Sequence, residues 1–232
     1  VYIDASCQNY SGRAWTEEEA EFIVDQAVKN QSVLIIDNAY QGLGKGFDED
    51  NLLIKKALER IEELPLVLVS NSLAKNAFAY GYRGGFLTAF SSNPETLSWA
   101  KKNMASLIDK THGPVPEDFT SLATVVMKDP MLTATWLSEL ESVRKDIVLK
   151  REALADLFIE NGYNSDLINQ VMRSGSGLFT IFPNISVEQA IQLYSDMGIV
   201  ILQDGSARIN IAGIPWNKFD YLSKGIEFVK TL

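Results

Sequence analysis

Residues 66–88, LVLVSNSLAKNAFAYGYRGGFLT, decide how this chain folds. Four apolar residues followed by Ser70 and Asn71 predict a short buried strand. A lone lysine, Lys75, then stands among small and aromatic residues, with Arg83 eight positions further on and a second strand in GGFLTAF (84–90). Toward the N-terminus, SVLIID (32–37) is another buried strand, NAYQGLGKGF (38–47) is a loop, and EDNLLIKKALERIEE (49–63) is an amphipathic helix. Further back, Thr16 and Glu19 form a capping box ahead of a helix reaching about Lys29, and residues 1–6 alternate as a strand does. Downstream, Asn93-Pro94 opens a helix reaching about Lys110. Strands alternating with helices predict an α/β fold whose mostly parallel sheet is covered by helices on both faces.

The pattern changes at the Pro/Gly-containing linker THGPVPEDF (111–119). Asp129-Pro130 interrupts the helical register, and one long helix is expected from about Met131 until Asn161-Gly162 stops it. A short helix, the strand GLFTIF, a helix over 186–197, two short strands IVIL and ARINIA, and a final helix follow. Residues 130–232 therefore read as a smaller α+β domain after a larger domain in 1–129. No internal repeat or low-complexity tract interrupts either part.

Composition narrows the function. Of 232 residues, 46% are hydrophobic and 22% charged, the balance of an ordinary globular protein. Thirty acidic against twenty-one basic side chains give a net charge of −9, which argues against nucleic acid and anionic membrane surfaces as partners. No apolar run approaches the roughly 20 residues that span a bilayer. Cys7 is the only cysteine, so no intrachain disulfide forms and a cytoplasmic location is the expectation. The opening VYIDAS has neither an initiator methionine nor a signal-type lead, so the sequence reads as cut from a longer one.

In open parallel sheets, ligands bind beyond the carboxyl ends of the strands. Asn9, Asp37, Tyr40 and Lys75 all fall at or just after such ends. A lysine flanked by small and apolar residues is open to desolvation, which favours the neutral, nucleophilic amine that forms Schiff bases. The commonest carbonyl cofactor held in this way is pyridoxal 5′-phosphate. Its site needs an acid for the pyridine nitrogen and cations or hydroxyls for the phosphate, roles that Asp37, Arg83 and Ser72 can fill. Metal and triad chemistry are not expected: the single histidine, His112, sits in the linker with no nucleophile elbow. GLGKGF (42–47) fits neither the Walker A nor the dinucleotide spacing and reads as a flexible loop.

DNAYQG (37–42), SLAKN (72–76) with Arg83, and ARINIAG (207–213) together resemble the aspartate and aromatic aminotransferase group of fold-type I pyridoxal-phosphate enzymes. The resemblance covers essentially the whole chain. It implies the type I transferase fold, with residues 1–129 the C-terminal part of the cofactor-binding large domain and 130–232 the small domain. It implies transfer of an amino group from an L-amino acid to a 2-oxo acid through a Schiff base on Lys75 and a pyridoxamine form, with Lys75 moving the proton. By the same resemblance Asp37 keeps the pyridine nitrogen protonated, and Tyr40 and Asn9 hydrogen-bond the cofactor O3′. Asn9 also helps orient the substrate carboxylate, and Ser72 and Arg83 hold the phosphate. Arg208 clamps the α-carboxylate, linking substrate binding to domain closure. A homodimer is implied, with sites at the subunit interface.

Departures from the family pattern qualify these roles. Asn9-Tyr10-Ser11-Gly12 stands where relatives carry Asn-Pro-Thr-Gly, and Ala74 stands where a second serine is common. Asp109 aligns with the arginine that aspartate-specific relatives present to the side-chain carboxylate, which predicts preference for neutral or cationic side chains. Other type I chemistries, such as β- or γ-elimination, fit the same motifs. An inactive fragment is the third reading, because relatives carry a preceding region with a glycine-containing phosphate loop and a ring stacked on the cofactor. An exposed, incomplete sheet would also promote association.

Overall fold

The computed structural model describes residues 1–113, 118–202 and 207–232. The chain divides into two units: Val1–Ser6 with Trp15–Glu141, and Cys7–Ala14 with Ser142–Leu232.

The first unit is built on a four-stranded sheet, β1 (Tyr2–Asp4), β2 (Leu34–Asn38), β3 (Val67–Ser72) and β4 (Gly85–Phe90), in spatial order 1-2-3-4. The first two pairings are parallel; β4 returns antiparallel to β3, from Val67 opposite Phe90 to Ser72 opposite Gly85. The connection into β4 holds only the four-residue helix α3 (Leu73–Asn76) and one 3-10 turn, not the longer helix of a parallel crossover. The sheet is thus mostly parallel, as expected.

Helix α1 (Glu17–Lys29) starts where the sequence signals it. The Thr16 hydroxyl accepts from Glu19 N at 3.2 Å and the Glu19 carboxylate accepts from Thr16 N at 3.1 Å. Helix α2 (Leu52–Glu59) is shorter than expected, with residues 49–51 forming a 3-10 turn before it. Ala20, Val24 and Ala27 of α1 and Leu53 and Ala57 of α2 pack on Leu34, Ile36, Val67 and Val69. The alternating strand residues Ile35 and Leu68 are only half-buried.

Cover on both faces, expected from the strand–helix alternation, is therefore corrected: α1 and α2 share one face. The strand order explains it. Successive right-handed crossovers moving in one direction across a sheet put their helices on the same side, and only a reversal of order covers the other. Helices α4 (Pro94–His112) and α5 (Asp118–Lys128) follow β4. Most of the Pro/Gly linker (residues 114–117) and the His112 side chain lie outside the described residues.

Helix α6 (Pro130–Glu160) begins at the expected proline, and the chain passes from the first unit to the second within it. The second unit continues with α7 (Ser165–Ile168), a π-helical turn over Asn169–Arg173, β5 (Phe179–Ile181), α8 (Val187–Met197), β6 (Arg208–Asn210) and α9 (Phe219–Thr231). Its core gathers Leu154 and Phe158 of α6, Leu193 of α8, Ile209 of β6 and Ile226 of α9. Strands β5 and β6 pair antiparallel, Ile181 opposite Arg208. IVIL (199–202) is not a strand: only Leu202 forms a bridge, to Arg208. Ile201 is buried while Val200 and Leu202 are exposed, so the segment packs by alternation without completing a ladder.

Candidate active site

Asp37, Tyr40, Ser72, Lys75 and Arg83 belong to the first unit, and Asn9 and Arg208 to the second. In the first unit the parallel register sets Asp4, Asp37 and Ser70 side by side across the carboxyl ends of three strands. Asp37 Oδ1 accepts from Ala39 N at 3.1 Å and Oδ2 accepts from the Tyr2 hydroxyl at 2.5 Å. That hydrogen bond, then burial and the Asp37 charge, pushes the Tyr2 phenol up to about 12, so it stays a donor at neutral pH. Sequence reasoning missed Tyr2, because only the β1–β2 register reveals what its side chain can reach.

Ser72 ends β3 and caps α3, its hydroxyl accepting from Ala74 N at 3.2 Å. Lys75 follows inside that single turn, half-buried between buried Ala74 and Asn76. Its ammonium lies over two rings, 5.2 Å from the Tyr40 centroid and 5.8 Å from that of Tyr80. Arg83 shares the second ring, its guanidinium 5.1 Å from the Tyr80 centroid. Phe78 (φ 53°) and Arg83 (φ 54°), which follow this turn, both hold left-handed backbone that side chains disfavour. The Trp136 indole ties this turn to α6 by donating to Asn76 O at 2.8 Å.

Buried Tyr40 opens the loop read as flexible. The structure corrects that reading: Gly42 N, Gly44 N and Lys45 N donate to the buried Asp50 carboxylate at 2.8, 2.9 and 2.9 Å. Burial raises the Asp50 pKa against these bonds. A nest of amides that would suit an external anion is thus filled from within the chain.

In the second unit, Arg208 Nη1 donates to both the main-chain oxygen and Oδ1 of Asn9, each at 2.9 Å. The guanidinium also lies 4.9 Å from the Phe179 ring centroid. The loop bearing Asn9 keeps its turn without the proline of the family motif: Gly12 N donates to Gln8 O at 2.8 Å and Gln8 N to Arg13 O at 3.0 Å. Asp109 lies exposed in the last turn of α4. No cluster of three or more His, Cys, Asp or Glu suited to a metal occurs among the described residues.

The first unit thus carries a lysine amine just after one parallel strand and an acid near the end of the next, and the second unit carries an arginine–asparagine pair. The family model for aminotransferases of class I and II matches residues 2–226, and the chain belongs to that family. It is 31% identical over 226 residues to an aromatic-amino-acid aminotransferase of Paracoccus denitrificans, covering 97% of this chain and 55% of that protein. An aspartate aminotransferase of Haemophilus influenzae is 30% identical over 227 residues, with coverage of 97% and 55%. The solved structure of an aromatic amino acid aminotransferase with 3-indolebutyric acid superposes with a TM-score of 0.86 at 29% identity, over 99% of this chain and 56% of that one. The fold is accordingly the type I fold of pyridoxal-phosphate transferases. The chain spans about half the length of the curated relatives it matches.

Proposed function

We propose that the protein transfers an amino group from an L-amino acid to a 2-oxo acid with pyridoxal 5′-phosphate as cofactor. The observation that carries this reading is Lys75, its amine over two tyrosine rings in the single turn after β3, with Asp37 near the end of the neighbouring strand. The donor set fits the cofactor: a carboxylate for the ring nitrogen, a hydroxyl and a guanidinium for the phosphate, and an amine for the aldehyde. When bound, the cofactor supplies that aldehyde and a ring that withdraws electrons from the substrate α-carbon.

The chain's own groups do the rest. Lys75 anchors the cofactor and moves the proton at the α-carbon as base and then acid. Asp37, itself held by Tyr2 and Ala39, keeps a negative charge on the pyridine side. Tyr40 bounds the space around the amine, and Ser72 and Arg83 receive the phosphate. Arg208, oriented by Asn9, takes the α-carboxylate. Homodimeric assembly and a cytoplasmic setting belong to the same reading, in which Cys7, the single cysteine of the sequence, forms no intrachain disulfide.

Borohydride reduction of the cofactor-loaded protein, followed by peptide mapping, should leave a pyridoxyl group on Lys75. A tag on another lysine, or none, overturns the assignment. Given an amino donor alone, the protein should release one equivalent of 2-oxo acid per site and no ammonia, whereas an elimination reaction would release ammonia continuously.

Specificity follows from Asp109. A carboxylate where aspartate-specific relatives have an arginine repels acidic side chains. Lysine, ornithine or aromatic amino acids should therefore exceed aspartate in kcat/KM by about tenfold or more. Asp109→Arg should shift the ratio toward aspartate, and preference for aspartate in the unaltered protein would end the idea.

A further inference from the structure

Among the described residues Arg151 is the largest fully buried side chain, 2% exposed, and no described carboxylate hydrogen-bonds its guanidinium. Its hydrogen bonds end on main-chain carbonyls. Nη1 donates to Met172 O at 2.9 Å, Nη2 to Ser176 O at 2.8 Å and to Phe179 O, and Nε and Nη2 to Gly177 O at 3.3 and 3.2 Å. Burial pulls its pKa down to about 10, the direction expected for a charge taken out of water, and the neighbouring Cys7 opposes the shift only in part. Such a group is costly, and an apolar side chain of similar size would ordinarily serve stability better.

What these bonds hold is the support of Arg208. The turn over 174–179 leads into β5, and the carbonyl that Arg151 grips at its end is that of Phe179, whose ring lies against the Arg208 guanidinium. On the other side, Ser176 N and Oγ donate to Gly12 O at 2.6 and 3.3 Å, closing the loop that presents Asn9 to Arg208. The fit is tight: a Cβ on Gly12 would stand 2.2 Å from Arg151 Nη2, and one on Gly175 would stand 2.6 Å from Nη1. One guanidinium thus fixes both the platform under Arg208 and the loop that orients it.

We infer that Arg151 is a positioning residue that sets the aim of Arg208 toward the substrate α-carboxylate, a role that rests on the proposed function of Arg208. Loss of Arg151 would leave the turn and the Asn9 loop intact as chain but free to shift against each other. A displacement of about 1 Å at a substrate clamp is enough for large losses in productive binding.

The test measures binding of 3-phenylpropionate, a carboxylate with no amino group to transfer, by calorimetry on the cofactor-loaded protein, beside KM and kcat for an amino acid. Arg151→Met should raise the dissociation constant and KM by about tenfold with kcat nearly kept, and Arg151→Lys should lie between. Arg208→Gln is the reference and should weaken the same ligand by about a hundredfold. If Arg208→Gln weakens binding and folded Arg151→Met does not, the inference fails while the proposed function stands. If Arg208→Gln leaves binding unchanged, the carboxylate reading fails and takes the inference with it. A purely structural role would lower the melting temperature with affinity intact. Should Arg151→Met not fold, Arg151→Lys keeps a buried cation but loses the fork that reaches the Met172, Ser176 and Phe179 carbonyls together, and an unchanged affinity in that variant overturns the inference.

Discussion

Lys75→Ala should remove turnover while leaving the fold in place, with kcat/KM falling by about 10⁴-fold or more from the combined loss of an anchoring amine and a positioned base. The packing around position 75 is supplied by its neighbours. Leu73, Ala74 and Asn76 are buried, the Ser72 cap does not involve the lysine, and Trp136 bonds the Asn76 carbonyl. Truncating a half-buried side chain there leaves those contacts intact, so the melting temperature should move little. Lys75→Arg is the sharper variant. It keeps a cation for the Tyr40 and Tyr80 rings, yet a guanidinium stays protonated and is not a nucleophile at neutral pH. Equal inactivity of both variants, with the Arg form as stable as the parent, assigns the loss to the amine itself. Residual turnover of one-tenth or more in either would remove Lys75 from the chemistry.

Part of this was legible in the sequence, and the divide is physical. Lys75 and Asp37 each sit within a few residues of an apolar strand, so their place at strand ends follows from local pattern. The long helix was legible for the same reason, since Asp129-Pro130 and Asn161-Gly162 act on the backbone next to them. What stayed hidden depends on register and topology. Tyr2 and Asp37 meet only because β1 pairs with β2 so that Tyr2 lies opposite Ile35, and a one-residue slip would turn the tyrosine away. The single covered face follows from the order 1-2-3, which no local window contains. In the sequence Asp50 is one acid in the run DEDN, and Arg151 is one more cation after Lys150. Their burial is set by the glycine-bearing loops that wrap them, so neither showed its role before the loops were in place.

Asp37→Asn should be the second most damaging change, lowering kcat/KM by about 10³-fold, about 4 kcal/mol at 1.36 kcal/mol per tenfold, because it removes the half-buried carboxylate proposed for the pyridine nitrogen. The substitution is nearly isosteric. The amide oxygen still accepts from Ala39 N, and the amide nitrogen can donate to the Tyr2 oxygen that formerly donated to the acid. What disappears is the negative charge, which is the part the pyridine nitrogen requires. Tyr2 gives an independent readout. With Asp37 in place its phenol should titrate near 12, above the ordinary 10.0, and in the Asn variant it should fall back toward that value. The linkage has a definite sign: a raised phenol pKa stabilises the fold fully below pH 10 and is lost as the pH climbs through 12, so the variant should lack this alkaline dependence. Tyr2→Phe, which keeps the charge and removes only its donor, should cost no more than about tenfold. If Asn and wild type turn over alike while the Tyr2 titration shifts as described, the hydrogen bond is real and Asp37 is not the cofactor's acid.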